Sequence, residues 1–223
     1  DLHPFPTRRS SDLQAEAVYF NAYLDGKMAG RISGILQHAA NKKWGQKRVR
    51  FTRFDCIDDL DVARALFDAV ESWARQKGMT EMAGPLGFSD LEREGLLIEG
   101  FDCLSTFEEQ YNYPYYQRLI EQCGYVKDVD WLEHKLRAPQ GLDPKIERIS
   151  NHMMQRYNLH FGQAKNSDEF LKKYADGIFR VWDETYDGIY GTVPFTEKMK
   201  KSIGESFRMI VDTRFVSVIL NKI

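Results

Sequence analysis

The sequence predicts an α/β fold with a mixed α+β sheet, and the order and the period of its apolar runs predict it. Apolar runs typical of strands are interspersed with apolar residues at helical spacing. The first half reads β-β-β-α-β-α-β, and the second half reads α-β-α-α-β. Interspersed elements of this kind are typical of helices packed against a sheet.

A hairpin is predicted at the start of the first half. Ala17–Leu24 and Lys27–Gln37 are rich in apolar, aromatic and small residues, and Asp25-Gly26 separates them. An Asp-Gly pair between two such runs indicates a tight turn, because glycine adopts the positive φ that the turn requires.

The next two elements differ in period. His38–Gln46 is polar and predicts a loop, whereas Lys47–Ile57 alternates basic and apolar residues, which indicates a strand with one face in water. Asp61–Lys77 then places its apolar residues at helical spacing, and Asp58 or Asp59 can cap the helix.

The remaining elements follow from the same criteria. Further strands are predicted at Thr80–Ala83, Lys127–Leu136, Leu159–Ala164 and Phe215–Leu220, the last of them buried. Further helices are predicted at Tyr115–Cys123, Lys145–Tyr157, Asp168–Tyr186 and Thr196–Met209.

This order divides the chain into four segments. Residues 1–14 contain two prolines and no periodic pattern and resemble a translated adapter, so we expect a non-native leader outside the core. Residues 15–138 form a first domain that lacks its N-terminal elements, 139–144 form a linker, and 145–223 form the opening part of a truncated second domain. The apolar strand so near the last residue indicates a fragment of a longer protein.

Charge and cysteine content narrow the classes of partner and compartment. The chain has 31 Lys and Arg residues against 33 Asp and Glu residues, a net charge of −2, so we expect no nucleic-acid and no membrane partner. No apolar run approaches the length of about 18 residues that a transmembrane helix needs. Cys56, Cys103 and Cys123 lie far apart without metal-ligand spacing, which indicates reduced thiols, no metal and a cytoplasmic protein.

Four stretches resemble bacterial proteins of the GCN5-related N-acetyltransferase (GNAT) type, within the acyl-CoA N-acyltransferase superfamily. They are YFNAYLDGKMAGRISG, FTRFDCIDD, GMTEMAGPLGFSD and YNYPYYQRLIEQCGY. The order of elements is similar to the GNAT fold, with 15–138 as the later part of one domain and 145–223 as the start of another. The resemblance implies transfer of an acetyl or acyl group from acetyl-CoA, or another acyl-CoA, to the amine of a small-molecule substrate.

The resemblance also implies a place for coenzyme A. Its pyrophosphate would meet the loop and the first helical turn after strand 47–57, and the implied cofactor-binding residues are Ile57, Asp59, Leu60, Val62 and Ala63. A member of the family carries a glycine-rich loop there, whereas Cys56–Ala63 contains three aspartates and no glycine. Aspartate repels phosphate, so binding is expected to be weak; the alternative is that these acids only cap the helix.

The resemblance implies that the catalytic and substrate-binding residues lie in two places, a polar aromatic cluster at residues 108–116 and a Gly/Pro turn at residues 84–90. Glu109 could act as base and Tyr116 as acid, and the implied substrate contacts are Ser89, Asp90, Tyr111 and Asn112. Packing of the aromatics and an ordinary turn at GPLGFSD are the alternatives. Members of the family usually have a proton-donor tyrosine at a position where this chain has Ile120.

Three functions are compatible with this pattern. The first is an acyltransferase that uses an acyl-CoA, and the second is a degenerate, non-catalytic GNAT domain that supports an active half. The third, transfer from aminoacyl-tRNA, requires a basic channel, which the composition does not offer. A homodimer, or docking of a missing C-terminal part, would cover the apolar strand at 215–220.

Overall fold

The computed structural model describes residues 2–4, 15–89, 92–106 and 109–221. The strands are β1 (Leu2–Pro4), β2 (Ala15–Leu24), β3 (Lys27–Gln37), β4 (Arg48–Cys56), β5 (Glu81–Ala83), β6 (Leu159–Phe161) and β7 (Ile219–Asn221). The helices are α1 (His38–Trp44), α2 (Leu60–Gln76), α3 (Tyr115–Gln122), α4 (Pro144–Arg156), α5 (Ser167–Tyr186) and α6 (Glu197–Ile210). The mixed α and β composition predicted from the sequence is confirmed.

The chain divides into two compact units. The first extends to Trp131 and includes Ile189–Val193, and the second comprises residues 132–188 and 194–223. Within the described ranges, no helix combines the length and the apolar character needed to cross a membrane.

A mixed sheet organises the first unit. Its strands lie in the order β1-β2-β3-β4-β5, antiparallel except for the parallel pair β4–β5. The predicted hairpin is confirmed, with Asp25 at φ 49° and Gly26 at φ 75° in the turn between β2 and β3. A bulge interrupts the β3–β4 ladder, and Arg53 there has φ 53°. The extra residue bends β4, and the pairing resumes beyond it, with Asp55 opposite Arg31 and Cys56 opposite Gly30.

Helix α2 packs on this sheet through an apolar face. Leu66, Phe67 and Val70 are fully buried, and each such side chain contributes about 1.5–3 kcal/mol by its removal from water. The close approach requires glycine in β3, because a Cβ at Gly34 would lie 2.8 Å from Val70 Cγ1. The predicted helix is confirmed, and Asp59 is its N-cap.

The prediction of a loop at His38–Gln46 is wrong, because α1 occupies most of it. Gln37 caps the helix, and Gly45 ends it in the left-handed region at φ 63°. The Asn41 side chain binds both the N–H and the carbonyl of Arg48, at 3.2 and 2.9 Å. These contacts with β4 stabilise a helix that is too short and polar for its sequence pattern to reveal.

Two strand predictions also fail. Lys127–Leu136 is not a strand, and Leu132 and Leu136 are 78% and 88% exposed. The prediction of a buried strand at Phe215–Leu220 is wrong for most of its length, because only its last two residues belong to β7 and Phe215 is 84% exposed. A strand needs a hydrogen-bonded neighbour, which an apolar alternation by itself does not supply.

The second unit combines helices with a two-stranded sheet. Strands β6 and β7 pair antiparallel. Helix α5 buries Phe170 and Phe179, and the ring of Trp182 lies 5.4 Å from that of Phe195, measured between centroids. These aromatic contacts form a small core of its own.

The short strand β1 falls within the segment interpreted as a leader. Leu2–Pro4 pairs antiparallel with Phe20–Ala22. Residues 5–14 lie outside the described residues, and the leader interpretation stays a prediction.

Candidate functional site

Two tyrosines at the start of α3 hold the end of β4. The Tyr116 hydroxyl donates a hydrogen bond to Asp55 Oδ1 and accepts one from the backbone N–H of Cys56 at 3.2 Å. The Tyr115 hydroxyl donates to the Cys56 carbonyl oxygen at 2.8 Å. Both polar groups of the Cys56 backbone are therefore bound by tyrosine side chains, and Asp55 is held beside them.

Ionisation in this cluster follows from burial and from the neighbouring carboxylate. Burial, together with the hydrogen bond to Asp55, raises the pKa of Tyr116 well above its usual value. Burial also raises the pKa of the Cys56 thiol to about 12. Near neutral pH, Tyr116 thus keeps its proton and Cys56 is not a thiolate nucleophile. Asp55 is 58% exposed and lies 3.6 Å from Arg31, so its carboxylate is accessible.

The first turn of α2 is occupied by the chain's own carboxylate. Asp59 Oδ1 accepts the N–H groups of Asp61 at 2.9 Å and of Val62 at 3.1 Å. These are among the groups expected to meet the pyrophosphate of coenzyme A. Asp58 forms an ion pair with Arg118. In this conformation the turn fits a phosphate poorly.

The other implied cofactor residues have diverse surroundings. Val62 and Ala63 are buried in the core beneath the sheet, and Leu60 packs against the same core. Ile57 is 44% exposed, and its N–H donates to the Ala29 carbonyl at 2.9 Å.

Strands β4 and β5 part after three paired residues, and the turn at 84–89 lies against β4. Leu86 N–H donates to the Phe51 carbonyl at 2.8 Å, and Arg50 Nη1 donates to the Gly87 carbonyl at 3.1 Å. Ser89 is buried, and Asp90 lies outside the described residues. The GPLGFS segment is therefore hydrogen-bonded to β4. The resemblance implies that coenzyme A binds beside this strand.

Arg50 also shows that the prediction of a wet face on β4 is wrong at this position. The side chain is only 5% exposed, and its Nη2 donates to the Gly191 carbonyl at 2.7 Å. Arg50, although it lies in a basic run, therefore has a structural role here. Its guanidinium group joins two backbone segments through hydrogen bonds to their carbonyl groups.

The remaining implied residues lie in the loop before α3. Asn112 is buried, with Oδ1 accepting the Leu97 N–H at 2.8 Å and Nδ2 donating to the Leu97 carbonyl at 3.1 Å. Tyr111 is 53% exposed and packs edge-on against the Tyr113 ring. Glu109 is exposed, and within the described residues no hydrogen bond or ion pair joins it to Tyr116.

Sequence reasoning missed Asp55, whereas Tyr115 belongs to the polar aromatic cluster that the sequence indicated. Asp55 stands at the end of the strand alternation, three residues before the aspartates that precede α2. A carboxylate where a strand meets a helix N-terminus was the available signal. Its pairing with Tyr116 depends on the tertiary structure.

Comparison with known proteins finds two curated relatives that are similar to this chain in sequence. Protein YghO of Escherichia coli (strain K12) is 27% identical over 191 residues, which are 83% of this chain and 47% of YghO. The bacterial ceramide synthase of Caulobacter vibrioides is 27% identical over 205 residues, which are 91% of this chain and 52% of that protein.

The chain is similar to a bacterial ceramide synthase. It spans about half the length of the curated relatives it matches. No protein-family model and no solved structure matches it.

Proposed function

We propose that this chain is part of an N-acyltransferase. Such an enzyme transfers an acyl group from an acyl-CoA thioester to an amine. A ceramide is an amide of a fatty acid with a long-chain amino alcohol, so the name of the relative from Caulobacter implies formation of an N-acyl bond. The resemblance of the sequence to GNAT proteins supports the same bond and the same donor. A long-chain amino alcohol is therefore the first acceptor to test.

The pair of Asp55 and Tyr116 carries the proposal. An amine attacks a thioester only as the neutral base, and Asp55 is exposed enough to take its proton. Nitrogen then bonds to the carbonyl carbon and loses its second proton to water, the carbon–sulfur bond breaks, and the leaving thiolate takes a proton from Tyr116. The Asp55 proton returns to the tyrosine through their hydrogen bond. Glu109, the base expected from the sequence, is the second candidate for the first step.

A scaffold role is the second candidate function, and the cap of α2 favours it. Asp59 binds two of the N–H groups that would hold the pyrophosphate, and its negative charge opposes a phosphate at that position. An acyl donor that binds at this turn must displace the Asp59 carboxylate. The scaffold protein would bind no acyl-CoA.

Mass spectrometry of the amide product, together with assay of the released thiol, tests both functions. The purified chain is incubated with acetyl-CoA or a long-chain acyl-CoA and with the amino alcohol, against an alcohol of equal length without the amine. We expect amide only with the amine, and at least about tenfold less of it with Asp55→Asn or Tyr116→Phe. The variant Glu109→Gln distinguishes the two candidate bases. Product formation falls with Glu109→Gln if Glu109 is the base, and with Asp55→Asn if Asp55 is the base. Absence of amide and of acyl-CoA binding would favour the scaffold.

A further inference from the structure

Helix α4 carries an apolar stripe that faces solvent. Ile146, Ile149 and Met153 are 61%, 55% and 43% exposed. Their spacing of three and then four residues places them on one face of the helix. None of the α4 residues is buried in the part of the chain that the structure describes, whereas α2 buries six of its residues. The stripe therefore lacks the cover that the apolar faces of α2 and α5 have.

Basic side chains line one side of this stripe. Between Pro144 and Arg156 the sequence has three cations, Lys145, Arg148 and Arg156, and one acid, Glu147. Lys145 lies one turn before Ile149, on the same side as Arg148. An open space of about 300 Å³ on the surface of the helix is lined by four of its own residues, Lys145, Arg148, Ile149 and His152. Two cations thus lie next to an apolar side chain on one face of α4.

We propose that α4 docks on an anionic lipid surface. A helix that joins an apolar stripe to Lys and Arg lies in the membrane interface, where the stripe enters the boundary between headgroups and acyl chains. Lys145 and Arg148 would contact lipid phosphates on this face of the helix. The net charge of the whole chain hides this local excess of cations, which is why composition alone predicts no membrane partner.

Charge complementarity favours lipid over a second copy of the chain. A symmetric dimer on the same stripe would bring the cations of two α4 helices together. Anionic lipid neutralises them instead, and each cation near such a surface strengthens binding about fivefold. Lipid docking by α4 does not require acyl transfer, so the vesicle experiment tests it independently of the proposed function.

Co-sedimentation of the purified chain with vesicles tests the proposal. We expect binding to phosphatidylcholine vesicles that contain phosphatidylglycerol, and little binding to phosphatidylcholine alone. Lys145→Gln with Arg148→Gln should weaken binding at least about tenfold, as should Ile149→Gln. All three side chains are exposed, so circular dichroism should show an unchanged fold.

Matched variants on the first unit provide the controls. Arg64→Gln with Arg75→Gln removes two exposed cations from α2, and Leu104→Gln removes a side chain that is 99% exposed. Both should bind like the parent. Equal losses in control and α4 variants, or no binding to the anionic vesicles, would overturn the proposal. Dimerisation lost in Ile149→Gln, without vesicle binding, would assign the stripe to a second copy.

Discussion

The Tyr116 hydroxyl donates its hydrogen bond to the carboxylate of Asp55, a residue 61 positions earlier in the sequence. The same oxygen accepts the N–H of Cys56. One phenol thus joins the start of α3 to the end of β4 and orients the carboxylate to which we assign the proton transfer.

Loss of this phenol should destabilise the fold. Tyr116→Phe leaves the buried N–H of Cys56 without its acceptor, which costs about 1–3 kcal/mol of the free energy of unfolding. Tyr113→Phe is the matched control, because Tyr113 is 57% exposed. Urea unfolding monitored by circular dichroism measures both. Equal stability of the two variants would contradict the structural role of Tyr116.

Opening the cap of α2 should improve binding of acetyl-CoA. Asp58→Asn with Asp59→Gly removes two negative charges and releases the N–H groups of Asp61 and Val62. We expect binding about tenfold tighter than that of the parent, measured by isothermal titration at low salt. Asp58→Asn with Asp59→Asn removes the same charges but leaves an amide oxygen on the N–H groups, so its gain should be smaller. Tight binding by the parent would refute the argument from charge.

The Asn112 side chain should be needed for order in the loop that it binds. Asn112→Ala removes hydrogen bonds to both backbone groups of Leu97 and to the Tyr113 carbonyl, which should lower the free energy of unfolding by about 2–3 kcal/mol. Asn112→Asp keeps the acceptor for the Leu97 N–H and should lose less. Hydrogen exchange at the Leu97 amide reports the local effect, and protection that is equal in all three proteins would exclude it.

Two Gly→Ala changes should have opposite signs. A Cβ at Gly84 would meet the Phe51 carbonyl and lie 2.8 Å from Phe51 Cδ1, so Gly84→Ala should cost about 1–3 kcal/mol. Gly177 lies within α5, and a methyl group added there would have open space around it, so Gly177→Ala should stabilise the protein by about 0.5–1 kcal/mol. Thermal unfolding of both variants tests the prediction, and a shift of the same sign in both would contradict it.

Stability should fall at alkaline pH because of Tyr125. Its hydroxyl donates to Glu71 Oε1 at 2.8 Å, and burial together with this carboxylate raises the pKa of Tyr125 above its value in the unfolded chain. The unfolded state therefore releases the proton first. The stabilisation is complete below about pH 10 and declines above it by about 1.4 kcal/mol per pH unit.

Urea unfolding across this range should show a shallower decline for Tyr125→Phe than for the parent. Tyr19→Phe, a change in β2, serves as the control. Identical slopes for the parent and Tyr125→Phe would show that Tyr125 does not couple folding to proton release.

The candidate site could be predicted only in part. The GNAT-like stretches led to Tyr116 and to the first turn of α2, and the structure brings α3 and the end of β4 together. Asp55 was harder to find, because its one signal, a carboxylate between a strand and a helix N-terminus, does not show that it pairs with Tyr116. The capping of Asp61 and Val62 by Asp59 could be foreseen from residue type, since aspartate before a helix accepts these N–H groups.

The elements whose causes are local could be predicted from the amino-acid sequence. The period of apolar residues and the caps predicted α2, α5 and α6, and the Asp-Gly pair predicted the β2–β3 hairpin. Three features could be seen only once the chain is folded: the helix α1, the burial of Arg50 and the hydrogen bond between Tyr116 and Asp55. Each of these depends on partners distant in the sequence, and burial of a charge or pairing of a strand is favourable only where such partners supply the hydrogen bonds.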